Sequence, residues 1–102
     1  MIRISWHRLA RKELFAAADF YEGEASGLGN LLLDEIEADL VRLKDHPRLG
    51  GRILGSVRRL INQRFPYKIV YRLDPLPEGG LEIFILAIAH DKRRPQYWSG
   101  RR

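Results

Sequence analysis

The stretch "LEIFILAIAH" (residues 81–90) contains the longest uninterrupted apolar run of the chain and decides how the fold is organised. Side chains of both alternating sets are apolar, with Leu81, Ile83 and Ile85 in one set and Phe84, Leu86 and Ile88 in the other. A strand that is apolar on both faces is buried on both of them. We therefore predict a central strand, with His90 on the same face as Phe84, Leu86 and Ile88.

Two segments before this strand also have strand composition, because they are rich in β-branched and aromatic residues. They are "SVRRLI" (56–61) and "YKIVYRL" (67–73), and the turns between strands contain Phe65-Pro66 and "DPLPEGG" (74–80). The three segments predict an antiparallel meander. At the other end of the chain, "MIRISW" alternates Ile2, Ile4 and Trp6 with polar residues, which is the period of a half-buried strand.

Two helices are predicted between the first strand and the meander. The first covers Leu9 to Ala25 and the second begins between Leu28 and Asn30, and each has an apolar stripe at helical spacing. The stripes are Ala10, Leu14, Ala17, Ala18 and Tyr21, and Leu32, Leu33, Ile36, Leu40 and Leu43. Gly29 lies where two helix backbones can approach closely, and "DHPRLGG" (45–51) ends the second helix. The prediction is a single α+β domain over residues 1–102, with one sheet packed on a helix hairpin.

Composition narrows the kinds of partner and compartment. The 102 residues include no cysteine, and the three histidines are far apart without ligand spacing, so we expect neither a metal nor another cofactor. The start lacks a signal peptide and no apolar run can span a bilayer, so we expect a cytoplasmic protein that does not contact membranes. The net charge of +5, concentrated in residues 48–72 and 92–102, indicates either an anionic partner or simply a basic surface.

The end of the predicted meander brings cationic side chains together near His90. The group consists of Arg64, Lys68, His90, Lys92, Arg93 and Arg94, followed by Tyr97 and Trp98. Cleavage of RNA needs an acid or base and cations around the reacting phosphate. His90 suits the first role, and Arg59, Arg64 and Arg94 suit the second. The alternative is structural: a hydrogen-bonded His90, solvated arginines, and Tyr97 and Trp98 covering the edge of the core.

A second candidate surface lies on the helices, where apolar residues fall outside the main stripes. These residues are Phe15 and Phe20 on the first helix, and Leu31, Ala38 and Val41 on the second. They predict either a groove for a partner's helix or ordinary exposure of apolar side chains. We add Trp98 to the residues expected to contact a partner.

The segments "FPYKIVYR" (65–72) and "AIAHDKRRPQYW" (87–98), with the order of the remaining elements, resemble the RelE/ParE superfamily of bacterial type II toxins. The similarity extends over the whole chain. It implies a small toxin that a cognate antitoxin neutralises by laying a helix and an extended segment over it, so a toxin–antitoxin hetero-oligomer is expected. A basic toxin fits an acidic, partly disordered antitoxin that folds on binding.

The superfamily has two mechanisms. The RelE-like branch cleaves mRNA on the ribosome, and the matching positions for catalysis here are Arg59, His90, Arg94 and Tyr97. Under that reading, further cations contact nucleic acid or phosphate, namely Arg58, Arg64, Lys68, Lys92 and Arg93. The ParE-like branch inhibits DNA gyrase through a protein–protein contact. The first meander strand offers arginines, which cannot act as a base, and the tail resembles the ParE and plasmid-stabilisation group. We therefore favour gyrase, keeping mRNA cleavage and a non-toxic binding module as alternatives.

Overall fold

The computed structural model describes residues 1–102 and contains two helices and five strands in one sheet. In chain order they are β1 (Ile2–Trp6), α1 (Arg8–Glu24), α2 (Leu28–Asp45), β2 (Gly51–Leu54), β3 (Val57–Ile61), β4 (Tyr67–Pro75) and β5 (Leu81–His90). The strand order across the sheet is β1-β5-β4-β3-β2. The α+β class, the helix hairpin and the β3-β4-β5 meander are confirmed.

The sheet differs from the prediction in two respects. It is mixed, because β1 pairs with β5 in parallel while the other pairs are antiparallel. It also has an extra edge strand, β2, which pairs with β3 through a register shift between Arg52 and Leu54. The sequence pattern of a strand normally comes from the burial of one of its faces. β2 has only four residues, which are largely exposed and lie between glycines, so it shows little of that pattern.

A β-bulge changes which side chains of β5 share a face. Tyr71 pairs with Ile85 and Val70 with Ala87, so Leu86 is an extra residue in the ladder. Leu86 and Ala87 therefore both pack on the face away from the helices, and Ile88 joins the helix face. The predicted alternation was therefore wrong beyond Leu86: Ile88 and His90 lie on the helix face, whereas Phe84 and Leu86 lie on the outer face.

Each face of the sheet has its own apolar cluster. The larger cluster joins the helices to the helix face of the sheet and includes Leu32, Ile36, Ile69 and Tyr71. The smaller one covers the outer face: Val70, Leu86, Ala87, Ala89 and Trp98. Because β5 lies between β1 and β4 and contributes to both clusters, its burial on both faces is confirmed. Neither helix combines the length and the apolar character needed to cross a membrane.

The turn between the helices is held by Glu22 of α1. Its carboxylate accepts hydrogen bonds from the backbone N–H groups of Gly27 at 2.9 Å and Gly29 at 3.0 Å. Backbone N–H groups at the start of a helix have no partner within that helix. Gly27, the N-cap residue, has no side chain that could accept from them, so Glu22 takes that role. At Gly29 the helices approach so closely that an added Cβ would lie 2.5 Å from the carbonyl oxygen of Ala18.

Replacement of Gly29 by alanine tests this close approach. We expect Gly29→Ala to lower the free energy of unfolding by about 1–3 kcal/mol, the usual cost of overpacking a close contact. Gly23→Ala in α1 is the matched control, because an added Cβ there meets nothing within 4 Å. That change should be neutral or stabilise by up to about 1 kcal/mol through helix propensity. Equal urea midpoints for the two variants would contradict a close helix contact at Gly29.

Candidate functional site

The candidate site lies at the end of the sheet where β5 finishes and β4 begins. Tyr67 pairs with His90 and Lys68 with Ala89, as the meander predicted. Alternation then places Tyr67 and His90 on the helix face and Lys68 on the outer face. The sheet therefore divides the predicted cationic group into two sets.

His90 lies on the helix face, beside a cavity of about 220 Å³ between α1 and the end of β5. Its Nδ1 accepts a hydrogen bond from the backbone N–H of Lys92 at 3.0 Å, which fixes the turn after the strand. Its ring packs edge-on against Tyr67, with 5.0 Å between ring centroids. Phe20 and Arg93 also line the cavity. His90 thus accepts a backbone hydrogen bond on one ring nitrogen and contacts an aromatic ring.

Arg59 and Lys68 lie on the outer face. Both line a cavity of about 240 Å³ together with Arg93 and the carboxylate residue Asp91, and Trp98 forms part of its wall. Three cations and one acid give this cavity an excess of positive charge. Arg59 therefore does not share a face with His90, although both lie near Arg93.

Two other predicted phosphate contacts lie elsewhere. Arg64, in the β3–β4 turn, has its Nη1 at 3.9 Å from the carboxylate of Glu35 on α2. Arg58 is on the helix face and donates to the carbonyl oxygens of Gly50 at 2.8 Å and Arg48 at 3.1 Å. Arg64 is in a turn at the end of the sheet that carries His90 but lines none of the cavities there, and neither does Arg58. The single cationic rim predicted from the sequence is therefore not formed by these two residues.

The tail after β5 brings the remaining residues together. Lys92 and Arg94 are exposed in it. Lys68, His90, Arg94 and Tyr97 border one small recess of about 20 Å³, a volume that suits a single water molecule. Three of the four residues predicted for catalysis, His90, Arg94 and Tyr97, therefore border one recess, and Arg59 does not.

Tyr97 is anchored by residues that the sequence analysis missed. Its hydroxyl donates a hydrogen bond of 2.8 Å to the carboxylate of Glu13, which also binds both terminal nitrogens of Arg101 at 2.8 and 2.9 Å. The guanidinium of Arg93 lies 3.8 Å from the centroid of the Tyr97 ring. Glu13 on α1 is separated from Tyr97 by 84 positions, and no local sequence pattern indicates such a contact.

The environment of Tyr97 changes its acidity. Burial is the main cause that raises the pKa of Tyr97 above the ordinary 10.0, and the hydrogen bond and negative charge of Glu13 add to it. The cations Arg93 and Arg101 act in the opposite direction but do not cancel the effect. A phenol held in this way is a poor acid at neutral pH, so its hydroxyl serves as a fixed hydrogen-bond donor.

This pKa shift predicts a loss of stability at alkaline pH. Because the folded pKa of Tyr97 is raised, its contribution is unchanged below the unfolded pKa of about 10 and falls as the pH rises above it. Burial also raises the pKa of Tyr67 and Tyr71, which adds to the fall. Urea unfolding from pH 8 to 11 should show a shallower decline for Tyr97→Phe than for the parent. Identical slopes would contradict the shift.

Trp98, expected at a partner surface, is instead buried, with 4% of its surface exposed. It packs in the outer cluster with Val70, Leu86 and Ala89. The physical reason is that the outer face of β4 and β5 is apolar and no helix covers it, so the tail does. The position of Trp98 is the one expected under the structural alternative, in which it covers the core.

The apolar residues outside the helix stripes differ in exposure. Phe15, Phe20 and Val41 are exposed by 51%, 60% and 54%, and Ala38 is also exposed. Leu31, by contrast, is half-buried against the main cluster. The hairpin therefore presents separate apolar side chains on α1 and α2, and Leu31 contributes mainly to the core.

No group of three histidine, cysteine, aspartate or glutamate side chains in the chain is arranged to hold a metal ion.

Comparison with known proteins identifies the family and supports the fold. Residues 4–95 match the family model "ParE toxin of type II toxin-antitoxin system, parDE". The chain is also similar to a solved structure of the "Chromosomal ParDE TA system from P. aeruginosa", with a TM-score of 0.67 and 25% identity over 88% of this chain and 96% of that one. No curated protein sequence matches significantly. Because the family model covers most of the sequence, the chain belongs to the ParE toxin family of type II toxin–antitoxin systems.

Proposed function

We propose that this protein inhibits growth through a protein–protein contact with DNA gyrase in the cytoplasm, and that a cognate antitoxin neutralises it. The observation that carries the choice of mechanism is the contact of Tyr97 with Glu13. The hydroxyl that a nuclease would use is engaged by this carboxylate of α1. In addition, the sheet lies between His90 and Arg59.

Features of the surface support a protein partner. Phe15, Phe20 and Val41 expose large apolar areas on the helix hairpin, and such side chains stabilise contacts with a partner helix. The net charge of +5 favours an acidic antitoxin segment over a basic one.

A growth test and a supercoiling test examine this proposal. Expression without antitoxin should arrest growth, and stoichiometric purified protein should block supercoiling by gyrase and trap cleaved DNA. His90→Ala should remain toxic, as should the control His46→Ala, whose side chain is exposed at the end of α2. Normal supercoiling beside full growth arrest would exclude gyrase as the target, and the absence of growth arrest would indicate a non-toxic binding module.

One observation favours a second candidate, ribosome-dependent cleavage of mRNA. Lys68, His90, Arg94 and Tyr97 border the same recess, so a cation and a proton donor lie next to one another. Under this alternative, His90→Ala or Arg94→Ala should lower the cleavage rate in a cell-free translation system by about 10²-fold. Uncut message with the parent protein, or equal cleavage by the parent and both variants, would rule it out.

A further inference from the structure

Three arginines line a cavity at the opposite end of the sheet from His90. The cavity, of about 360 Å³, lies between the loop after α2, the β2–β3 turn and the ends of β4 and β5. We call it the arginine cavity, and its polar wall consists of Arg48, Arg52, Arg58 and Ser56. Leu73 and Leu81 form an apolar part of the wall. No residue of this cavity borders the recess beside His90.

Backbone contacts orient two of the guanidinium groups. Arg58 donates through one terminal nitrogen to the carbonyl oxygens of Gly50 and Arg48. Arg52 donates through one terminal nitrogen to the carbonyl oxygen of Gly55 at 3.2 Å. Each guanidinium has five N–H donors, so both groups, which line the cavity, keep several donors that these bonds do not use.

The three arginines have no acidic partner. None of them takes part in any of the ion pairs of the chain, and the sequence from Arg48 to Arg72 contains no aspartate or glutamate. Three like charges around one cavity repel one another, so the free protein is destabilised at this place. An anion in the cavity removes that repulsion.

The donor set selects the kind of anion. A carboxylate offers two oxygens in one plane and is satisfied by one guanidinium fork, whereas a phosphate presents oxygens in several directions. We propose that the arginine cavity binds a phosphate group, supplied either by a free nucleotide or by the backbone of DNA. The apolar wall beside the arginines accommodates the sugar or base attached to that phosphate.

Binding of two phosphate probes tests the proposal without any toxicity assay. The purified chain is titrated with a fluorescent 12-base-pair DNA duplex and, separately, with a nucleoside monophosphate. Arg48→Gln/Arg52→Gln should lower the affinity for whichever probe binds by about tenfold or more, which is the scale of losing charge-assisted hydrogen bonds. With DNA, the dependence of log K on log salt should fall by about one for each lost phosphate contact. Arg58 is left intact because its backbone bonds support the loop.

Arg8→Gln/Lys12→Gln is the matched control, since it removes the same charge from exposed positions on α1. It should retain most of the affinity and the salt dependence. Tight binding of the duplex with weak binding of the nucleotide identifies backbone phosphate as the source, and the reverse identifies a free nucleotide. Either result supports the cavity. Equal losses in both double variants, no binding of either probe, or tighter binding of a polyglutamate peptide at these arginines would overturn the proposal.

Discussion

Glu13→Ala is expected to lower the free energy of unfolding by about 3 kcal/mol, which corresponds to roughly 12–24 °C in Tm for a domain of this size. Glu13 accepts hydrogen bonds from the backbone N–H of Ile88, the Tyr97 hydroxyl and the Arg101 guanidinium. Its removal leaves Arg101, with only 12% of its side chain exposed, without a counter-charge. An unpaired charge of this kind is more costly than the loss of an ordinary surface ion pair.

The same contacts protect an open part of the sheet. β1 pairs with β5 only as far as Ile85, so the following residues of β5 have β4 on one side and no strand on the other. Glu13 accepts from the N–H of Ile88, and Arg101 donates to the carbonyl oxygen of Leu86 at 2.9 Å. One ion pair thus replaces the missing strand. We therefore expect amide exchange at Ile88 to accelerate in Glu13→Ala.

Two measurements separate this effect from a general loss of helix stability. Glu37→Ala is the control, because Glu37 is an exposed helical glutamate of α2 outside all the hydrogen bonds described here, and it should change stability by less than about 0.5 kcal/mol. A double-mutant cycle with Arg101→Gln should give a large coupling energy for the pair. Additive effects of the two changes, or a Glu13→Ala variant as stable as Glu37→Ala, would contradict the role assigned to Glu13.

The parts of the fold that the sequence predicted are those with a local pattern. The apolar run of β5 and the helix stripes follow from burial, which is periodic along the chain. The bulge at Leu86 has no such signature, because both neighbours are apolar and fit either face. Parallel pairing of β1 with β5 joins residues 79 positions apart, such as Ile2 and Leu81. Periodicity gives no information about partners at that distance.

In the candidate site, too, the features with a local sequence pattern could be predicted and those that depend on distant contacts could not. Pairing of Tyr67 with His90 followed from the meander and is present. The face of each cation was harder to predict: Arg58 and Arg59 are neighbours in sequence but lie on opposite faces of β3, and only Arg59 joins the outer cavity near the tail. Glu13 and Arg101 were missed because their contact depends on the tail folding back over the sheet. A glutamate on a helix and an arginine near the end of the chain are otherwise typical surface residues.

The second large effect is expected at Asn62, which is only 4% exposed in the β3–β4 turn. Its Oδ1 accepts from the backbone N–H groups of Arg64 and Phe65, at 2.9 and 2.8 Å. Its Nδ2 donates to the carboxylates of Asp39 at 2.9 Å and Glu35 at 3.2 Å. The amide therefore joins the turn that starts β4 to the middle of α2.

Asn62→Ala should lower the free energy of unfolding by about 3–5 kcal/mol, at the upper end of single substitutions. Two backbone donors and the Asp39 carboxylate, which is 5% exposed, lose a partner together, and each unsatisfied buried group costs about 1–3 kcal/mol. Asp39 would keep only Arg42, at 3.4 Å. Asp39→Ala/Asn62→Ala should recover part of the loss, because no buried carboxylate then remains unpaired.

Urea unfolding of these variants, with Gln63→Ala as the control, measures the effect. Gln63 carries the same amide one position further along, but it is exposed and donates only to the carbonyl oxygen of Ile61. Its replacement should change stability by less than about 0.5 kcal/mol. Recovery in the double variant would show that the cost comes from stranding the Asp39 carboxylate. If the double variant is less stable than Asn62→Ala, the turn itself depends on Asp39, and the carboxylate is not the source of the penalty.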